Sequence, residues 1–106
     1  MDERARRVAE NEILFRQVNE RVVGGGRRPS EKFEIVCECE NTRCMDHIRV
    51  TTESYERARA EPTDFLLKPG HANLDFETVI ETQDEFVLVR KTGEAAALAK
   101  NLDPRP

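Results

Sequence analysis

Three cysteines stand within eight residues, as Cys37-x-Cys39-x4-Cys44, and nothing else in the chain restricts its fold as much. They are the chain's complete complement of cysteine, an odd number that cannot pair off internally. The N-terminus, Met1-Asp2-Glu3-Arg4, lacks the apolar core of a signal peptide, so a cytoplasmic, reducing setting is expected. Disulfides are rare there, and the thiols call for metal, reactivity or burial. Zinc takes four tetrahedral ligands from thiolate and imidazole. The chain offers two imidazoles, His47 at Cys44-x2-His47 and His71 in a Pro-Gly-His turn. An iron–sulfur cluster usually takes four thiolates, one more than exist here. Tetrahedral zinc puts bound sulfurs about 3.8 Å apart, closer than side chains two apart on a flat strand. The chain must therefore bend at Glu38, and the Asn41 loop must swing Cys44 back. Buried thiols acting as small core hydrophobes, and a redox or nucleophilic thiol, are the other readings.

The flanking sequence predicts an α+β fold: a small, mainly antiparallel sheet, a long N-terminal helix, two short helices and a zinc-stapled loop. Residues 3–23 read as an amphipathic helix with Val8, Phe15, Val18 and Val22 as its apolar stripe and Asn11 interrupting it. The expected organisation is helix over 1–23, a Gly/Arg linker over 24–31, the zinc-stabilised α+β domain over 32–102 and a frayed tail over 103–106. Gly24-Gly25-Gly26 ends the helix. It lacks the GxxxxGK[ST] spacing of a phosphate loop.

Residues 32–39 alternate, with Phe33, Ile35, Cys37 and Cys39 on one face and Glu34, Glu38 and Glu40 on the other. Ile48-Arg49-Val50 is a second strand. Thr51 or Thr52 caps a helix over about 53–60, closed by Pro62. Phe65-Leu66-Leu67 is a strand, and Lys68-Pro69-Gly70-His71 is a type II bend. Residues 76–82 and 85–91 form a hairpin about Gln83-Asp84, although the glycine such tight turns prefer is missing. Residues 94–100 form a short helix.

Charge is uneven. Residues 1–31 carry seven arginines against six acids, whereas the remainder carries ten basic and fifteen acidic residues. An acidic body does not attract a phosphate backbone. A nucleic-acid role would rest on Arg4, Arg6, Arg7, Arg16, Arg27 and Arg28, yet Glu3, Glu10 and Glu12 are placed to pair with them. No apolar run approaches a membrane span.

Several segments resemble a group of small bacterial proteins of unassigned activity. They are Asn11-Glu12, Phe15-Arg16, Asn19-Glu20, Phe33, Cys37-Glu38-Cys39, Cys44, Ile48, Thr51, Tyr55-Glu56, Phe65 and Pro69-Gly70-His71. The match continues through Val87, Val89, Lys91, Gly93 and Asp103-Pro104-Arg105. The group's pattern has leucine-threonine before the short helix, where this chain has Val50-Thr51. The resemblance brings no activity with it. It implies a metal site at Cys37, Cys39, Cys44 and His71, with His47 the alternative fourth ligand.

A closed four-ligand zinc is a staple and not a reaction centre. The expected function is a zinc-binding interaction or regulatory module that meets another protein, or a second copy, through the N-terminal helix. The alternatives are a thiol/zinc redox switch, a nucleic-acid-binding regulator using the arginine arm, and a zinc-dependent hydrolase. The last would keep water in the fourth position and use Glu38 or Glu40 as base. The deaminase pattern HxE…PCxxC is absent.

Overall fold

A computed structural model describes residues 3–23, 27–103 and 105; the glycine linker at 24–26 and the prolines of the tail lie outside them. The elements run α1 (Glu3–Val22), β1 (Lys32–Val36), β2 (His47–Thr51), α2 (Thr52–Arg59), β3 (Asp64–Leu67), β4 (Glu77–Thr82), β5 (Val87–Lys91) and α3 (Gly93–Asn101). The class is α+β. Two antiparallel sheets form where the alternation suggests one: β1–β2, and β3–β5–β4.

The second sheet is the middle layer. β3 and β5 bury both faces, which explains the unbroken apolar runs at Phe65-Leu66-Leu67 and Phe86–Val89. Phe65, Leu67, Val87 and Val89 meet Ala9 and Ile13 of α1, Ala95 and Ala99 of α3, and the three cysteines. Leu66 and Leu88 point the other way, into Phe33, Ile35, Ile48, Val50, Tyr55 and Ala58. The metal-ligand candidates therefore belong to one of the two cores rather than to a surface knuckle.

Helix α1 packs on a different face from the one its valines indicate. Its buried residues are Ala5, Val8, Ala9, Glu12, Ile13, Arg16 and Asn19, a clean three-and-four spacing with three polar members. Leu14, Val18 and Val22 are about half exposed. The polar members go inside because each finds partners there. Arg16 donates to Pro62 O at 2.5 Å and Ala99 O at 3.2 Å and lies over the Phe65 ring. Asn19 donates to Val36 O and accepts from Val36 N, both at 2.8 Å. Glu12 pairs with Lys91. Arg16 and Glu12 are thus structural, which removes Arg16 from a phosphate-binding arm and Glu12 from pairing with the surface arginines.

Other local expectations are refined. Thr51 is the helix cap, accepting from Ser54 N at 3.0 Å. Thr82 pairs with Val87 and Gln83 N–H reaches Phe86 O at 2.9 Å, so the hairpin turns at Asp84-Glu85, one place beyond Gln83-Asp84. Glu77 is the buried side chain of β4. Arg105, expected in a frayed tail, is held by Glu20 and by Glu56 (2.6 Å).

The Glu12–Lys91–Glu77 cluster sets two carboxylates on one ammonium in the interior, with Lys91 Nζ 2.6 Å from Glu77. Burial, then the Glu40 and Cys39 charges, push the Glu77 carboxyl up to about 7, against a backbone N–H from Asn73 that favours its charge. Burial pulls Lys91 down to about 7. For Glu77 the folded value lies above its ordinary 4.5. Its stabilising contribution is whole below that value and is lost as pH rises through 7. Lys91 runs the opposite way: its contribution is whole above its ordinary 10.5 and is lost as pH falls to 7. Glu77→Gln should therefore gain on the wild type between pH 5 and 8, by at most roughly 3 kcal/mol at about 1.4 kcal/mol per pKa unit. Urea unfolding of both proteins across that range tests this; parallel pH profiles would reject it.

Candidate metal centre

The site is assembled by two loops. The first leaves β1 at Val36, where the strand ends. Cys37 N–H still reaches Asp46 O at 2.9 Å, but Glu38 N–H turns away to Leu66 O at 2.9 Å. This switch from β2 to the edge of β3 is the bend between the two cysteines. Cys44 returns through a turn closed by Cys44 N–H to Asn41 O at 2.9 Å. The second loop is the Lys68–His71 bend, closed by His71 N–H to Lys68 O at 3.1 Å, with Gly70 at φ +89°. That is the position of a type II turn where a side chain is strained, so glycine is needed. The bend opens with Lys68 N–H donating to Cys37 Sγ at 3.1 Å and ends by supplying His71.

The ligand atoms of Cys37, Cys39, Cys44 and His71 all lie within 4.8 Å of one another. His71 Nδ1 is 3.6 Å from Cys37 Sγ and 3.7 Å from Cys44 Sγ. A tetrahedral ion with ordinary metal–sulfur and metal–nitrogen bonds separates such atoms by about 3.5 Å, so the four side chains can hold a metal ion. His47 is exposed on β2 opposite Val36 and is outside the group.

The thiols are electrostatically unequal. The hydrogen bond from Cys37 pulls Cys39 down to about 5, with His71, Asn41 and Cys44 assisting against burial. The Cys39 thiolate and then burial push Cys37 up, and burial pushes Cys44 up. The cluster thus concentrates negative charge at Cys39, which suits capture of a cation.

Two outer groups have roles that sequence reading missed. Asp46 Oδ2 stands 3.7 Å from His71 Nε2, 3.7 Å from Cys44 Sγ and 3.5 Å from Lys68 Nζ. A carboxylate behind a metal-binding imidazole fixes its orientation and raises its basicity. The sequence hint was only its place two residues beyond Cys44.

Glu38 is the other. Alternation puts it on the solvent face, but it is fully buried. Its carboxylate accepts from Arg59 at 2.7 and 3.0 Å, Asn19 Nδ2 at 2.7 Å and Leu66 N–H at 2.9 Å. One residue, seated between two ligand candidates, ties their loop to α1, α2 and β3. Arg59 loses solvation on burial, yet Glu38 more than offsets this and holds its guanidinium above the ordinary range. So engaged, Glu38 is not free to act as a base. Glu40 accepts from Asn73 Nδ2 at 2.9 Å.

No helix among the described residues is long and apolar enough to cross a membrane. No protein-family model, curated protein or solved structure matches the chain.

Proposed function

We infer that this chain is a small zinc-stapled interaction module of regulatory type, in which the metal fixes the shape and the surface meets another protein. The observation that carries the reading is the convergence of three thiols and one imidazole from two loops. Three sulfurs and one nitrogen suit zinc better than the oxygen-seeking cations. Four protein ligands leave no position for water, and the nearby carboxylates already have partners, which favours a structural over a hydrolytic ion. Three thiols without a disulfide among them suit a reducing, cytoplasmic setting. Membership of the group with the Cys-x-Cys-x4-Cys and Pro-Gly-His pattern is part of the same proposal.

A protein partner is favoured over nucleic acid by the net charge of −4 and by the inward turn of Arg16. Leu14, Val18 and Val22 form an exposed row on α1, and the helix would use that row, not its buried face, to meet a protein or a second copy.

Protein purified without chelator should carry one zinc per chain by elemental analysis. Cys44→Ser and His71→Ala should lose most of it, while His47→Ala keeps it. A metal-free wild type, or zinc lost with His47→Ala but not with His71→Ala, would overturn the assignment.

A further inference from the structure

Three of the polar side chains that helix α1 turns inward serve the two metal loops. Asn19, fully buried, engages its whole carboxamide at the start of the first loop. Its Oδ1 accepts from Val36 N–H at 2.8 Å, and its Nδ2 donates to Val36 O at 2.8 Å and to the Glu38 carboxylate at 2.7 Å. Asn11, about two turns earlier, donates to Glu40 O at 2.8 Å. Val36, Glu38 and Glu40 are the residues that flank Cys37 and Cys39. The helix therefore holds the chain before, between and after these two thiols.

Glu12 reaches the second loop. It pairs with Lys91, Lys91 Nζ meets Glu77 at 2.6 Å, and Glu77 accepts at 2.8 Å from Asn73 N–H, two residues beyond His71. Asn73 Nδ2 then donates to Glu40 at 2.9 Å, which ties the second loop to the first.

The apolar anchoring of α1 is slight by comparison. Over its 20 residues it fully buries Ala5, Val8, Ala9 and Ile13, two of them no larger than a methyl group. Apolar stabilisation scales with the area removed from water, so the position of this helix depends heavily on its polar contacts. Arg16 binds Pro62 O and Ala99 O, outside the loops. The partners of Asn11 and Asn19 stand where they do because the chain bends between Cys37 and Cys39.

We propose that α1 is a clamp on the metal loops, so that zinc retention and the docking of α1 form one linked equilibrium. The proposal rests on the zinc reading and adds its regulation. Ligands gathered on one ion hold Val36, Glu38 and Glu40 in the arrangement that Asn11 and Asn19 recognise. With α1 withdrawn, those groups lose their partners, and the segment carrying Cys37 and Cys39 is free to open. Linkage is reciprocal: the factor by which docked α1 tightens zinc binding is the factor by which zinc tightens docking. A partner that draws α1 away loosens the metal by the same linkage.

The test follows zinc transfer from the full chain to excess chromophoric chelator, with zinc content and circular dichroism recorded on the same samples. Asn11→Ala is the main variant, because it removes one half-buried amide and a single hydrogen bond to the loop. Asn19→Ala, which removes three, should have the larger effect. Ile48→Val, in the other core, controls for lost stability. Asn11→Ala should release zinc about tenfold faster or more, as loss of a group that orients ligands does, while Ile48→Val stays close to wild type. Protection of the α1 amides from hydrogen exchange should rise with free zinc, and rise less in Asn11→Ala. Three outcomes overturn the clamp: wild-type release from Asn11→Ala, equal acceleration by Ile48→Val for the same loss of thermal midpoint, or α1 protection indifferent to free zinc. Any of them in a wild type that carries its zinc leaves the staple standing; a wild type without zinc overturns both.

Discussion

Stripping the metal from the Cys37–Cys39–Cys44–His71 cluster is expected to abolish cooperative folding. Structural zinc in small domains contributes on the order of 10–16 kcal/mol, while whole domains have about 5–15 kcal/mol of stability. The cluster is not peripheral: its thiols pack with Ile13, Phe65, Val89 and Ala99 in one of the two cores. Without an ion, mutually repelling sulfur charge is left buried among α1, α3 and the middle sheet. Chelation should therefore remove the sharp thermal transition, or lower its midpoint by about 20 °C or more at about 4–8 °C per kcal/mol. Zinc readdition should restore it. Circular dichroism melts, with metal content confirmed before each, decide the matter. A midpoint unchanged after verified metal loss would show that the thiols are ordinary core residues.

Glu38→Ala should be the most damaging single substitution outside the ligands. It strands the buried Arg59 guanidinium and removes the acceptor of Asn19 and of Leu66 N–H. Breaking a buried ion pair from one side costs about 3–5 kcal/mol, equivalent to about 12–40 °C in a domain of this size. Removing both charges with Glu38→Met and Arg59→Met should recover part of that loss, because no charge is then stranded. Glu38 also seats Cys37 and Cys39, so zinc affinity should fall about 10–100-fold in Glu38→Ala, the range for groups that orient ligands. Competition against a chromophoric chelator measures this. A Glu38→Ala protein with native zinc affinity and stability would remove Glu38 from its role as the tie between loop and sheet.

The strands, helices and turn at Lys68–His71 were legible because their causes are local. Pro69-Gly70 sets its own bend, and Thr51 caps α2 from one residue away. Helix α1 was legible as a helix but not in its orientation. Val8 alone of its four valine and phenylalanine markers is fully buried, because Glu12, Arg16 and Asn19 displace apolar residues from the inner face. A hydrophobic pattern cannot anticipate this. The reward for burying a polar side chain lies in partners 17 to 83 residues away, such as Val36 and Ala99.

The metal centre divides along the same line. Three thiols in eight residues of a chain without disulfide partners determine, by sequence alone, that the Cys37–Cys44 segment needs a chemical explanation. Sequence spacing left the histidine open, with His47 near and His71 far. Only the tertiary structure brings one of them to the thiols, since β2 turns His47 outward while the Lys68–His71 bend is drawn onto them by a backbone hydrogen bond to Cys37. Likewise Glu38 reads as a solvent-facing residue until β1 ends and its carboxylate meets Arg59. Ligand type is a property of a side chain, and sequence states it; ligand geometry is a property of distances between remote segments, and only the packed chain sets those.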